Sequence, residues 1–362
     1  MTRQVEHERA RAWVEIDLGA LRRNAERIAR QSGVPILPMI KADAYGLGAV
    51  HAARALEPLD PWGYGVATVD EGVALRTAGI ARRIVVFTSL LGTDLELARQ
   101  ASLTPALGRR DAIAEWARTG EPWHLSIDTG MGRTGVRWDE VGALGDLLRQ
   151  SPPEGAYTHF HSAGRPDGSA RAQEERFEAA LAALPARPRV LHTENGVAAE
   201  RRPRSRWSLV RPGIFLYGVS FEGALVEAEP VVHVRARVVE LRTRHDGETV
   251  SYDATWRAVG TRRVATLAIG YADGYRRALS NRGIALIGGR RTPVAGLVTM
   301  DMTMVDVTDV PCAVGDVATL VGRDGGAQLT VSEVAREADV SPYELLTGLR
   351  TRMPHLHLED VP

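Results

Sequence analysis

Ile36-Leu37-Pro38-Met39-Ile40-Lys41-Ala42-Asp43-Ala44-Tyr45-Gly46 opens on five apolar residues and breaks at a lysine. A short apolar run that stops this sharply is what a parallel strand covered on both faces looks like. Further along the chain the same texture returns at residues 63–67, 83–87, 103–107, 124–127, 156–160, 189–192 and 214–217. Amphipathic helical periodicity fills the intervals at 48–56, 70–78, 94–100, 110–118, 138–149 and 169–184. Eight β/α alternations predict a closed, eight-stranded parallel β/α (TIM-like) barrel, assigned to residues 13–230. A doubly wound open sheet is the competing fold, but no Gly-x-Gly-x-x-Gly turn opens the first helix after a strand.

Beyond residue 230 the pattern changes. Val231-Val232-His233-Val234-Arg235-Ala236-Arg237-Val238 alternates with period two, and Gly and Asp turns separate later segments of the same kind. Residues 231–362 therefore read as a mostly β domain, with helical pattern returning at 332–337 and 343–349. Residues 1–12 carry no apolar core and are expected to be a flexible N-terminus.

Composition narrows the partners. The 362 residues hold 45 acids and 45 bases, which gives no electrostatic reason to expect nucleic acid or an anionic membrane. No apolar run approaches the roughly 20 residues needed to cross a bilayer. The single cysteine, Cys312, suits a reducing compartment, so a cytoplasmic location is expected.

Lys41 is the only lysine among the 45 basic residues; the rest are arginine. An arginine cannot lose its proton and attack a carbonyl, whereas a lysine amine can, forming a Schiff base. Lys41 falls at the C-terminal end of the first strand, where barrel enzymes place reactive groups. Tyr45 follows, beside Gly46 and Gly48, with a phenol able to donate to a phosphate. Asp128-Thr129-Gly130-Met131-Gly132-Arg133 after the fifth strand reads either as a surface turn or as a loop aiming a guanidinium at an anion, such as a carboxylate gripped bidentately. Thr158-His159-Phe160 ends the sixth strand, and Asn195-Gly196 and Arg211-Pro212-Gly213-Ile214 end the last two. Loops there commonly bind phosphate, because free N–H groups converge. One lysine, a phosphate cradle and no metal-spaced His/Cys cluster point to pyridoxal 5′-phosphate, with no metal.

With these residues in view the chain resembles alanine racemase, the barrel-fold family of pyridoxal-phosphate enzymes. The matching motifs run in order from Trp13-Val14-Glu15-Ile16-Asp17-Leu18 and Lys41–Gly46 to Ile269-Gly270-Tyr271-Ala272-Asp273-Gly274 and Met300-Asp301. The resemblance implies that Lys41 carries the cofactor as an internal aldimine and, once displaced, serves as base on one face of the substrate Cα. It implies that Tyr271 is the second base and reaches the barrel of a partner subunit, making a homodimer with composite sites. It further implies that His159 partners this tyrosine and Arg211 faces the pyridine nitrogen. Tyr45, Asn195, Gly196, Gly213 and Ile214 would hold the cofactor phosphate, while Arg133 and the Met300 N–H would meet the substrate carboxylate.

The chain departs from the family pattern in four places. Ser126 stands where many members carry a lysine that braces the arginine, Gly196 replaces a phosphate-binding serine, Thr351 replaces a tyrosine, and His161-Ser162 replaces small apolar residues. These bear on cofactor affinity and substrate choice. Racemisation of serine or of a broader amino-acid set stays open beside alanine. A lyase on the same barrel is disfavoured by Arg211 and Tyr271, and a non-enzymatic cofactor carrier by the β domain.

Overall fold

The computed structural model describes residues 9–349 and 352–360. Its first strand, β1 (Ala12–Asp17), does not enter the barrel. Helix α1 (Leu18–Ser32) follows, started by Asp17, whose carboxylate accepts from Ala20 N at 2.7 Å, and ended by Gly33 at φ 68°. Leu21, Ala25 and Ile28 recur at helical spacing and are buried.

The barrel strands are β2 (Tyr64–Val66), β3 (Ile84–Val86), β4 (Thr104–Leu107), β5 (His124–Asp128), β6 (Gly155–Tyr157) and β7 (Val190–His192), paired in parallel in that order. Residues 36–40 close the ring on one side, with Ile40 N donating to Gly65 O at 2.9 Å. On the other side Leu37 N donates to Val210 O and Met39 N to Pro212 O, both at 2.8 Å. Pro38 and Pro212 each take a donor out of the ladder, so this closure survives as isolated bridges such as Ile36–Val210 and Asn195–Arg211.

The eighth strand therefore lies at 209–211, not at 214–217 as expected. Ile214–Tyr217 is a single 3-10 turn whose four side chains are all buried. An apolar run reports burial, and burial alone does not distinguish a strand from a buried turn.

Inside the ring the packing is mixed. Leu37, Val85, Ala106, Tyr157 and Leu209 form a small cluster of their own beside the buried His124 and His192. A Cβ on Gly155 would lie 2.7 Å from His124 Cε1, so glycine is what admits that imidazole.

The second domain is built around β8 (Val232–Arg244), which pairs antiparallel with β1, with β9 (Arg262–Leu267) and with β10 (Val317–Asp324). Strand β11 (His355–Leu358) adds to β1 in parallel. The N-terminal boundary thus differs from expectation. Pairing of Ala12–Ile16 with β8 and of Val14–Asp17 with β11 places this segment in the β sheet rather than in the barrel, and residues 1–8 of the expected flexible N-terminus lie outside the described residues. Arg11 is tied down as well, through Ala268 O at 2.7 Å and the buried Asp273 at 2.6 Å. No helix among the described residues is long and apolar enough to cross a membrane.

Candidate active site

At the C-terminal mouth of the barrel lies a cavity of about 220 Å³. Of the residues singled out from the sequence, Lys41, Tyr45, Arg133, His159, Asn195, Gly196, Arg211, Gly213 and Ile214 all line it. Met39, Phe87, Tyr157 and Tyr343 complete the lining and were not anticipated. Phe87 and Tyr157 sit at strand ends beside residues that were, so position alone could have found them. Tyr343 comes from a helix, Pro342–Thr347, far along the chain, and no local pattern points to it.

Lys41 does not simply end a strand. The backbone after it makes one left-handed turn, with φ of 51°, 52°, 54° and 60° at Ala42, Asp43, Ala44 and Tyr45. Each such residue costs about 1–2 kcal/mol relative to the right-handed form. The turn is pinned by Ala44 N donating to Ile40 O at 2.8 Å and by Asp43 O accepting from Leu47 N and Gly48 N at 2.9 Å. Its two ends deliver Lys41 and Tyr45 to the same cavity. Burial lowers the Lys41 amine pKa, the Arg133 charge lowers it further, and Glu71 opposes both.

Two short helical segments point their N-termini into the cavity: α2 (Gly196–Arg201), capped by Asn195 Oδ1 accepting from Ala198 N at 3.2 Å, and the Ile214–Tyr217 turn. The N–H groups of Gly196, Gly213 and Ile214 take no acceptor among the described residues. A Cβ built on Gly196 would lie 3.5 Å from Gly213 N, so the segments converge. A Cβ on Gly213 would fall 2.4 Å from Tyr45 Oη, so only glycine lets the phenol close this cradle. Convergent N–H donors with a phenol and no carboxylate among the lining residues form a site for a phosphate dianion.

Arg211 is buried and spends four of its N–H bonds on the protein. Nη1 donates to His192 Nδ1 and His192 O, both at 2.8 Å, and Nη2 to Thr158 O at 2.8 Å and Thr193 O at 3.0 Å. Only Nε is left without an acceptor among the described residues. From Arg211 the contacts run on to His192, whose Nε2 in turn meets His124 Nδ1 at 2.9 Å. His159 is held down to about 3 by burial first, then by Arg211, Arg133 and Lys41. It is a neutral imidazole in this site, and the positive field around the cavity comes from the arginines.

Arg133 rides a loop organised by Asp128, whose carboxylate accepts from Gly130 N at 2.9 Å and Gly132 N at 3.1 Å. The guanidinium is exposed and makes no hydrogen bond among the described residues. Ser126, where a bracing lysine was noted as missing, stands beside Tyr157, at the next parallel strand. Thr351 lies outside the described residues.

Tyr271 and Met300 are not brought to this cavity. They stand exposed on the β domain, at 42 % and 52 % of their surface. The two loops are one unit: Tyr271 N donates to Thr299 O and Ala272 N to Met300 O, both at 3.0 Å. Buried Asp273 accepts from Gly270 N at 2.9 Å and pairs with Arg11. Sequence reasoning missed Arg11, which braces this unit from the other end of the chain. The Met300 N–H is also without an acceptor among the described residues.

Comparison with known proteins agrees with this construction. The family profile "Alanine racemase, N-terminal domain" matches residues 16–221 and "Alanine racemase, C-terminal domain" residues 231–357. An alanine racemase of Symbiobacterium thermophilum is 39 % identical, covering 95 % of this chain and 96 % of its own. Among solved structures, alanine racemase from D-cycloserine-producing Streptomyces lavendulae is 30 % identical with a TM-score of 0.90, covering 96 % of this chain and 97 % of its own. That from Bartonella henselae, solved with covalently bound pyridoxal phosphate, is 27 % identical with a TM-score of 0.88, covering 96 % of this chain and all of its own (100 %). The chain belongs to the alanine racemase family.

Proposed function

We propose that the chain interconverts L- and D-alanine by passing the Cα proton between two bases, Lys41 on one face and Tyr271 of a second copy on the other. The alanine reaction and its dependence on pyridoxal 5′-phosphate follow from family membership. One observation supports the assignment of the bases. The chain's sole lysine stands at a barrel mouth that already holds a phosphate cradle, while the candidate second base sits exposed on another domain.

The residues present fit the cofactor. Tyr45 and the N–H groups of Gly196, Gly213 and Ile214, with Asn195 shaping the helix start, would hold the phosphate. Lys41 would carry the aldehyde carbon, and Arg211 Nε would meet the ring nitrogen. When bound, the cofactor withdraws electrons from the substrate Cα and so makes its proton easier to remove.

The rest falls to the chain's own side chains. Lys41, with its amine pKa lowered by burial and by Arg133, is suited to take a proton at neutral pH. A phenol needs a cationic surround to serve as a base, and the mouth supplies Arg133 and Arg211. Arginine only donates, so Arg211 would offer a facing ring nitrogen an N–H and no proton, and would thereby limit how far charge spreads from Cα. Reprotonation at Cα is thereby favoured over transamination. Arg133 and the Met300 N–H would grip the substrate carboxylate from the two sides.

The missing hydroxyl at Gly196 removes one phosphate donor, and three main-chain N–H groups remain to share the load. The reading also places the enzyme in the cytoplasm, where alanine is available and Cys312 stays reduced. Borohydride reduction followed by digestion tests it: a pyridoxyl group on the Lys41 peptide is expected, and its absence would overturn the assignment.

A further inference from the structure

Lys41 is held in place by a carboxylate that the proton transfers do not use. Glu71 lies in the first turn of the helix Val69–Thr77, directly after β2. Its Oε1 accepts from Ala42 N at 2.7 Å. Its Oε2 accepts from Ala67 N at 2.7 Å and from Thr68 N at 3.3 Å. One carboxylate thus ties the residue next to Lys41 to the end of the neighbouring barrel strand.

The turn it grips needs holding. Four consecutive residues, Ala42 to Tyr45, sit in the left-handed region, and none of them is glycine. Asp43 pins the far end, through its main-chain oxygen and through Oδ1, which accepts from Ala49 N at 2.7 Å. At the near end Glu71 is the only acceptor for Ala42 N among the described residues. A carboxylate is acceptor-only, so it satisfies all three donors at once. An amide in its place would turn one oxygen into an N–H facing another N–H. Aspartate would keep the charge but is one methylene too short to span both segments.

We propose that Glu71 is the positioning residue of Lys41: by gripping Ala42 N it fixes the left-handed turn that aims the amine into the cavity, and its charge balances Arg133 across that amine. The proposal rests on the reading of Lys41 as the cofactor-bearing lysine. Glu71 itself touches neither substrate nor cofactor. Because Tyr45 ends the same turn, the grip also sets where the cradle's phenol stands. Arg133 pulls the Lys41 amine towards its neutral form and Glu71 towards its charged one. Loss of Glu71 therefore lowers the pH at which the amine becomes free.

The sole lysine makes this measurable without turnover. In full-length protein stripped of cofactor by hydroxylamine, Lys41 is labelled with trinitrobenzenesulfonate across a pH series, and the Lys41 peptide is followed by mass spectrometry. In Glu71→Gln the labelling midpoint should move to lower pH. After reconstitution, kcat should fall about ten- to a hundredfold while KM stays within about twofold. Glu71→Asp should keep a near wild-type midpoint yet still lose kcat, since charge is kept and reach is not. Thr68→Ala weakens the same helix start without touching Ala42, and should lower Tm while leaving midpoint and kcat alone. A folded Glu71→Gln with wild-type midpoint and kcat would overturn the proposal, as would full kcat in Glu71→Asp. If Glu71→Gln does not fold, the Asp variant decides alone. Borohydride trapping on the Lys41 peptide is a separate readout. Its failure would remove the cofactor role of Lys41 while the labelling midpoints stood.

Discussion

The barrel mouth and the Tyr271 loop are built on opposite plans. At the mouth a lysine, two arginines, a neutral histidine and a ring of N–H groups surround one cavity, and most of them are partly or wholly buried. The loop presents a phenol and a main-chain N–H on an exposed face, held from behind by Asp273 and Arg11. In the proposed reaction the mouth binds and activates, and the loop brings the acid/base for the second face of Cα. Tyr271 and Met300 do not line the cavity of their own chain, which is why the proposed reaction brings the loop of one copy to the barrel of another.

Removing the mouth's own base should cost most. Lys41→Ala is expected to lose cofactor absorbance in the visible range and to lower kcat/KM by about 10⁴-fold or more. Retention of covalently held cofactor would break the assignment of the mouth. Removing the loop's base should be milder and one-sided. Tyr271→Phe should lose about 10²–10⁴-fold in racemisation while binding cofactor normally. Solvent-proton exchange should survive from one enantiomer and vanish from the other. Equal survival from both would show that Tyr271 is no base.

A smaller effect is expected from the cradle. Gly213→Ala drives a Cβ to within 2.4 Å of Tyr45 Oη, so either the phenol or the turn must yield. Cofactor affinity should weaken about tenfold, roughly one hydrogen bond, with kcat at saturating cofactor little changed. Equilibrium dialysis gives the affinity, and unchanged binding would mean that Tyr45 does not close the cradle.

The barrel's buried histidines should make stability fall with acid. His124 and His159 are held at about 3 by burial first and then by nearby arginines, against an ordinary 6.5. Between those values the unfolded chain binds more protons than the folded one. Their contribution is therefore fully present above about pH 6.5 and is lost as pH falls towards 3, by about 1 kcal/mol per unit for each. Glu200, buried and pushed up to about 7 from an ordinary 4.5, acts in the opposite sense between those two values. The steepest loss should lie between about pH 3 and 4.5, read as unfolding free energy in urea. A flat profile there would contradict buried neutral imidazoles in the barrel.

How much of this was legible in the sequence varied with how local the cause was. Strand-end residues of the barrel were legible because apolar runs and their polar breaks are adjacent in the chain: Lys41, Arg133, His159 and Asn195 all follow such runs. Residues 214–217 misled because a buried 3-10 turn is as apolar as a strand, and Pro38 and Pro212 thin the ladder where the true closing strand lies. The left-handed turn at Ala42–Tyr45 left no signature, since no glycine marks it. Glu71, His192, Tyr343 and Arg11 act across long separations in the chain, and only the fold reveals what they touch. Tyr271 was found through family resemblance, and its distance from the mouth could not have been read from spacing.

The claim that two chains share each site has one direct measurement. A heterodimer of Lys41→Ala and Tyr271→Phe subunits, purified through two different tags, should contain one wholly wild-type site and one doubly defective site. It should recover about half the wild-type activity although each parent is inactive. A verified heterodimer with no activity above its parents would place both bases in one chain's site and contradict the account.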